Sequence, residues 1–164
     1  MNQGNNPLYG ASQTAIGTWD AGTTTLATNA SASCTAGSIW IPDGALITSA
    51  LYFVQTTFID DDAGDSQPMA LGYTGATAAF VASIAISGTS SVWDAGIHGT
   101  LVGTPILGND AAQDTALELI ELNNASMVHL TAPKELLLTL ADERTVAVGK
   151  LSLYVNYVQT GDFA

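Results

Sequence analysis

The stretch LITSALYFVQTTF, residues 46–58, decides the fold that the sequence predicts. Its large side chains alternate along the chain with a period of two, which indicates a β-strand rather than a helix. We therefore predict one long strand here, one face of which is almost wholly apolar near its start. One face holds Ala50, Tyr52, Val54, Thr56 and Phe58, and the other face holds Leu51, Phe53, Gln55 and Thr57.

Shorter segments with strand-like alternation follow the long strand, and glycine, proline and aspartate separate them. We expect residues 69–73 to form a hairpin with the long strand, across a tip at residues 60–67. Short strands at this spacing, without a convincing long helix, predict an all-β, antiparallel β-sandwich with a jelly-roll-like topology. The remaining predicted strands are residues 76–86, 128–131, 135–140 and 150–158.

The chain of 164 residues fits one domain, but its first part differs in composition from the rest. Residues 1–37 are small and polar and contain few large apolar side chains. Such a segment buries too little apolar surface to offset the entropy lost on ordering, unless a partner supplies a surface. We therefore predict an extended N-terminal arm over residues 1–37 and a single β-sandwich domain over residues 38–164.

The distribution of charge disfavours several classes of function. The first 133 residues contain no lysine or arginine, and the whole chain carries a net charge of -12. Nucleic acids and anionic membranes are normally bound through clusters of basic side chains. We predict that the protein binds neither of them, and that it is synthesised in a host cytoplasm because its start lacks the pattern of a secretory signal.

The residues that usually carry catalysis are scarce. Cys34 is the single cysteine, and His98 and His129 are the only histidines, so neither a disulfide nor a three-histidine metal site forms within one chain. The sequence contains no Gly-x-Ser-x-Gly and no phosphate-binding glycine loop. We predict that the protein is not an enzyme, although a pair of carboxylates for glycoside hydrolysis is not excluded by sequence.

An acidic run is the one candidate metal site. Asp60, Asp62 and Asp65 surround a glycine, and carboxylate oxygens are the ligands that Ca²⁺ prefers. The spacing is not that of an EF-hand, because the twelfth position is Leu71 instead of glutamate. Two interpretations remain open, a Ca²⁺ site and a solvated loop whose like charges oppose aggregation. No other cofactor is predicted.

The three tryptophans also allow two interpretations. Trp19, Trp40 and Trp93 are candidates for an aromatic platform that stacks on sugars. Tryptophan side chains are equally suited to packing in a core or an interface. A carbohydrate- or receptor-binding β-domain therefore stays open as an alternative function.

Residues 41–58, with the sequence IPDGALITSALYFVQTTF, resemble the small head-decoration, or cement, proteins of tailed bacteriophages. In that pattern a proline-containing turn leads into a long strand and an acidic tip. The later segments at residues 84–88, 130–132, 138–140 and 149–157 agree with the same pattern, so the resemblance covers roughly residues 39–158.

The resemblance implies a structural virion protein, often a homotrimer, on the exterior of an icosahedral head. Such a protein binds the major capsid protein and cements neighbouring subunits. The N-terminal arm would then become ordered against the capsid. On this interpretation the capsid-binding residues include Leu8, Tyr9, Ile16 and Trp19.

Overall fold

The computed structural model describes residues 10–22, 33–60, 67–86, 91–100, 128–140 and 146–160. Within these residues the chain forms nine β-strands and one turn of 3-10 helix, Ser91–Trp93. The strands are β1 Ser12–Asp20, β2 Ser33–Ile41, β3 Ala45–Asp60, β4 Pro68–Tyr73, β5 Ala76–Ala85, β6 Gly96–Thr100, β7 Val128–His129, β8 Lys134–Leu140 and β9 Val146–Gln159.

The strands form two antiparallel sheets. The larger sheet has the order β1-β9-β3-β6, with the two-residue strand β7 also paired to β3. The smaller sheet has the order β2-β8-β4-β5. One hydrophobic core includes buried side chains from both sheets, among them Trp19, Tyr52, Leu71 and Leu138.

The order of the strands is that of a jelly roll. With β7 set aside, the first strand pairs with the last, β2 with β8, β3 with β6, and β4 with β5. This nested pairing arises when one long antiparallel ribbon is rolled into two four-stranded sheets, the jelly-roll arrangement. The prediction of an all-β antiparallel sandwich is confirmed, and its jelly-roll-like topology follows from the strand order.

The long strand predicted from sequence is β3, and the structure shows which of its two faces is buried. Tyr52, Val54 and Phe58 are buried, whereas Leu51 and Phe53 are exposed. The buried face is interrupted at an exposed threonine, residue 56, where the register between β3 and β9 shifts. A register shift of this kind re-aims side chains, which explains why strict alternation fails there.

The predicted hairpin between the long strand and the next one is wrong. β3 belongs to the larger sheet and β4 to the smaller one, so the chain crosses between sheets at residues 61–66. Both sides of β3 are occupied, by β9 on one side and by β6 and β7 on the other. The hairpin is instead β4–β5, and it turns at Gly75, whose φ of 93° suits glycine.

The predicted N-terminal arm differs from the structure over the residues that are described. Ser12–Asp20 is a strand of the larger sheet, paired with β9, and the side chain of Trp19 is fully buried. β2 starts at Ser33, so the predicted domain boundary at residues 37 and 38 falls inside a strand. The small polar residues on β1 suit an edge strand, since only every second side chain needs to be apolar.

The 3-10 turn links the two sheets at one end of the sandwich. The indole N–H of Trp93 donates a hydrogen bond to the carbonyl of Ile84 on β5, at 2.9 Å. The Tyr52 hydroxyl on β3 donates to the carbonyl of Val92, also at 2.9 Å. The Trp93 ring also meets the ring of Phe58 edge to face, with centroids 6.2 Å apart. These contacts fix the connection between the sheets.

Strands β6 and β7 lie in line along the same side of β3. Thr100, the last residue of β6, is opposite Ala50, and Val128, the first residue of β7, is opposite Ile47. Thr100 and Val128 therefore lie along one side of β3, opposite positions that are roughly 10 Å apart, the length of three strand residues.

We expect Gly149→Ala to lower the free energy of unfolding by about 2 to 4 kcal/mol, which denaturant unfolding would measure. Gly149 has a φ of 148°, and a Cβ atom there would overlap the buried ring of Phe58. Gly99→Ala is the matched control in β6, because a Cβ atom there meets nothing within 4 Å. Equal stability of the two variants would contradict this explanation.

Candidate functional site

The candidate site is the outer face of the larger sheet, the face turned away from the core. The register places Ile16, Tyr154, Leu51 and Gly99 in one row across the four strands. Directly opposite residues in an antiparallel sheet share a face. The next row holds Thr18, Ser152, Phe53 and Ile97, and a third holds Thr14, Asn156 and Ser49.

This outer face exposes apolar side chains. The exposed fraction is 39% for Leu51, 37% for Phe53, 47% for Ile16 and 77% for Ile97. Six of the seven large hydrophobic side chains exposed among the described residues belong to strands of the larger sheet, the exception being Trp40 on β2. Contiguous exposed apolar side chains on a soluble protein indicate an interaction surface.

The polar side chains of the outer face bind one another. The Thr14 hydroxyl donates to the Asn156 Oδ1 atom at 2.6 Å, and the Asn156 amide donates to the Ser49 hydroxyl at 2.9 Å. In the row of Phe53 and Ile97, the hydroxyls of Thr18 and Ser152 lie 3.1 Å apart. These groups already have partners within the face. They therefore keep a hydrogen bond when another protein covers the face and excludes water.

The outer face carries no net charge among the described residues of its rows. Asp20 and Lys150, which are opposite each other at its end, form a salt bridge at 3.0 Å. The hydrogen bond from Lys150 and another from the backbone N–H of Gly22 lower the pKa of the Asp20 carboxyl. The face is thus neutral in a chain with a net charge of -12.

The predicted Ca²⁺ ligands are described only in part. Asp60 is 4% exposed, and its Oδ2 atom accepts a hydrogen bond from the backbone N–H of Gln67 at 2.8 Å. This bond closes the ends of the acidic loop. Asp62 and Asp65 lie outside the described residues, within which no group of three metal-binding side chains occurs. The Ca²⁺ site therefore stays a prediction.

The residues predicted to bind a capsid are placed very differently. Leu8 and Tyr9 lie outside the described residues. Ile16 lies on the outer face, so its contact with a capsid stays a prediction. Trp19 projects from the opposite side of β1 and is fully buried, so its side chain is not available at the surface.

The aromatic platform suggested by the sequence does not form. Trp19 and Trp93 are buried, and Trp40, which is 49% exposed, lies in the smaller sheet. The ring of His98 stacks on Tyr52, with centroids 4.9 Å apart.

Within the described part of the chain, no helix is long and apolar enough to cross a membrane.

Sequence reasoning missed the outer face as a site. Leu51 and Phe53 were recognised as the second face of a strand, but Ile97 lies in a segment rich in glycine, 44 positions after Phe53. The neutral character of the face arises from residues of four strands, and only their register brings them together. The one signal in the sequence was the apolar character of both faces of residues 51–54.

Known capsid structures share the fold. No protein-family profile matches the sequence, and no curated protein matches it. A chain of the cyanophage Pam1 capsid asymmetric unit matches 96% of this chain and 91% of its own, with a TM-score of 0.56 and 12% identity. A chain of the acid-stable capsid of Helicobacter pylori bacteriophage KHP30 matches 93% and 91%, with a TM-score of 0.55 and 11% identity.

A chain of the capsid of Ralstonia phage GP4 is also similar. It matches 94% of this chain and 88% of its own, with a TM-score of 0.53 and 12% identity. At such low identity the likeness establishes a common fold. It extends over nearly the whole of each chain, so the entire jelly roll is shared and not only one hairpin of it.

We expect Asp60→Ala to lower the free energy of unfolding by about 1 to 3 kcal/mol, because the buried N–H of Gln67 loses its acceptor. Asp60→Asn keeps an acceptor oxygen and is the milder control. Thermal unfolding in a chelating buffer measures both variants. If Asp60→Ala is less stable than the wild type only when Ca²⁺ is added, this role is contradicted and the ion site is supported.

We expect the Asp20 carboxyl to titrate below its ordinary value of 3.8, and Lys150→Met to raise its pKa towards that value. A lowered pKa stabilises the fold at pH values above 3.8, and this contribution disappears as the pH falls through the folded-state pKa. Carbon NMR of the carboxyl measures the pKa directly. An unchanged pKa in the variant would exclude Lys150 as the main cause.

Proposed function

We propose that the protein is a structural component of a bacteriophage virion that binds the outside of the icosahedral head and cements neighbouring major capsid subunits. The observation that carries this proposal is the match of nearly the whole fold to chains from three phage capsid structures. The sequence resemblance to head-decoration proteins, made on separate grounds, supports the same class.

The extent of the matches supports a capsid component. Since 88% to 91% of each matched chain is covered, those chains are about as long as these 164 residues. The matched regions are therefore nearly entire capsid chains, and not domains inserted into much larger ones. An accessory subunit added to a shell suits a body of this size.

The charge supports the exterior of the head. A protein on the inner surface would lie against packaged DNA, whose phosphates repel a chain with a net charge of -12. On the outside, the same charge keeps the virion surface soluble. Synthesis in the host cytoplasm, followed by addition to the head, is part of this proposal.

A cementing role needs no reaction and no cofactor. Its physical basis is multivalency, because many copies that each bridge two capsid subunits oppose the separation of those subunits. We propose a homotrimer, which would present three equivalent surfaces to the lattice. The alternative of a carbohydrate-binding domain has less support, since two of its three candidate tryptophans are buried in the core.

Heads that lack the protein provide the test. We expect the purified protein to co-sediment with them in a saturable manner and to raise the temperature at which they release DNA. Light scattering should give about three times the chain mass of 16.8 kDa. A protein that stays in the supernatant at all concentrations, or leaves head stability unchanged, would overturn the proposal.

A further inference from the structure

We propose that the outer face of the larger sheet is the docking surface for the shell, and that its occupant is an uncharged, apolar surface of a neighbouring capsid subunit bordered by basic side chains. This inference rests on the proposed function. The argument for it combines charge, exposure and the hydrogen bonds of the face.

Charge identifies the kind of partner. The centre of a protein interface is depleted of charged side chains, and the outer face has this character in an otherwise acidic chain. Nucleic acids and lipid headgroups need cations on the protein, whereas Lys150, the one cation among the described residues of this face, is bound to Asp20. The partner is therefore another protein with an apolar centre.

The surroundings of the face favour a partner with a basic border. The chain carries 15 acidic and 3 basic residues, and because Asp20 and Lys150 cancel on the face, the net charge of -12 belongs to residues outside its rows. Asp94, for example, is exposed three residues before Ile97. A second copy of this chain docked on this face would bring the same excess of negative charge, which opposes association through this face. A capsid subunit with lysine and arginine around an apolar centre complements both parts.

The face is ready to be covered without rearrangement. Its backbone belongs to a sheet paired across four strands, and its Thr14, Asn156, Ser49 and Ser152 side chains already have hydrogen-bond partners. Ile16 and Leu51 lie in the row between these polar groups, and Phe53 and Ile97 share the row of Ser152. Association would thus remove apolar surface from water while little has to be ordered or left unpaired.

The size of the face explains why a lattice is needed. Four strands at 4.8 Å spacing and six residues at 3.3 Å each give roughly 400 Å² of flat area. A stable pairwise interface covers about 800 Å² on each partner. One face alone therefore binds a single subunit weakly, and strong attachment comes from several copies held together on the repeating shell.

A pair of matched variants tests the assignment. Thr18→Glu adds a carboxylate to the outer face, and Thr77→Glu adds one to an exposed position on β5, at the edge of the smaller sheet. Both change an exposed threonine in a strand and give the same net charge. Ile97→Glu is a second variant of the face, and the 77% exposure of Ile97 makes unfolding an improbable cause of lost binding.

Binding of each variant to heads that lack the protein is measured by co-sedimentation, with melting temperature as the check on folding. We expect apparent affinity to fall at least tenfold for Thr18→Glu and Ile97→Glu, and to stay within twofold of wild type for Thr77→Glu. The same order of affinities should persist at several salt concentrations.

The outcomes separate this inference from the proposed function. If the unmodified protein does not bind heads, the proposed function fails and the inference with it. If the unmodified protein and all variants bind equally, the function stands and the docking surface is wrong. If light scattering shows that the face variants dissociate an oligomer, the occupant is a second copy of this chain, and the inference is overturned.

Discussion

The pairing of β3 with β9 is the constraint on which the rest of the structure depends. These two longest strands form the middle of the larger sheet, with β1 added outside β9 and β6 outside β3. Their inward side chains, including Tyr52, Val54, Leu151 and Leu153, are part of the core that the smaller sheet covers. Gly149 allows Phe58 to pack closely against β9. The position of every residue on the outer face follows from this register.

The two faces of the larger sheet contribute to different properties. The inner face stabilises the fold through burial of apolar surface, and the 3-10 turn adds hydrogen bonds from Tyr52 and Trp93 that tie the sheets together. The outer face adds little to the core. It keeps Leu51, Phe53 and Ile97 in water, an arrangement that costs solubility unless a partner covers these side chains.

The sequence predicted the strands better than their partners. Alternation along residues 46–58 and 150–158 correctly gave β3 and β9, because burial of one face imposes a period of two. The hairpin to β4 failed, since proximity in sequence does not reveal that both sides of β3 are already taken by distant strands. Ser12–Asp20 was assigned to an arm because its polar composition hid two buried hydrophobic side chains, Ala15 and Trp19. An edge strand buries only one of its faces, and average composition does not detect this.

The candidate site shows the same limit. Single residues such as Asp60 or Trp93 could be singled out by type, but the structure gives each a role in loop closure or packing. The outer face became recognisable only when Ile16, Leu51 and Ile97 were aligned across strands. The pairs that align them, Ile16 with Tyr154, Leu51 with Tyr154 and Phe53 with Ile97, are 44 to 138 positions apart, and no local pattern encodes such pairing.

The alignment of β6 with β7 has a consequence for how such a protein can change. Thr100, at the end of β6, and Val128, at the start of β7, lie opposite positions of β3 that are only three residues apart. The described strands fix the places of these two residues but not the number of residues between them. Sequence of another length between Thr100 and Val128 is therefore compatible with the register of β3.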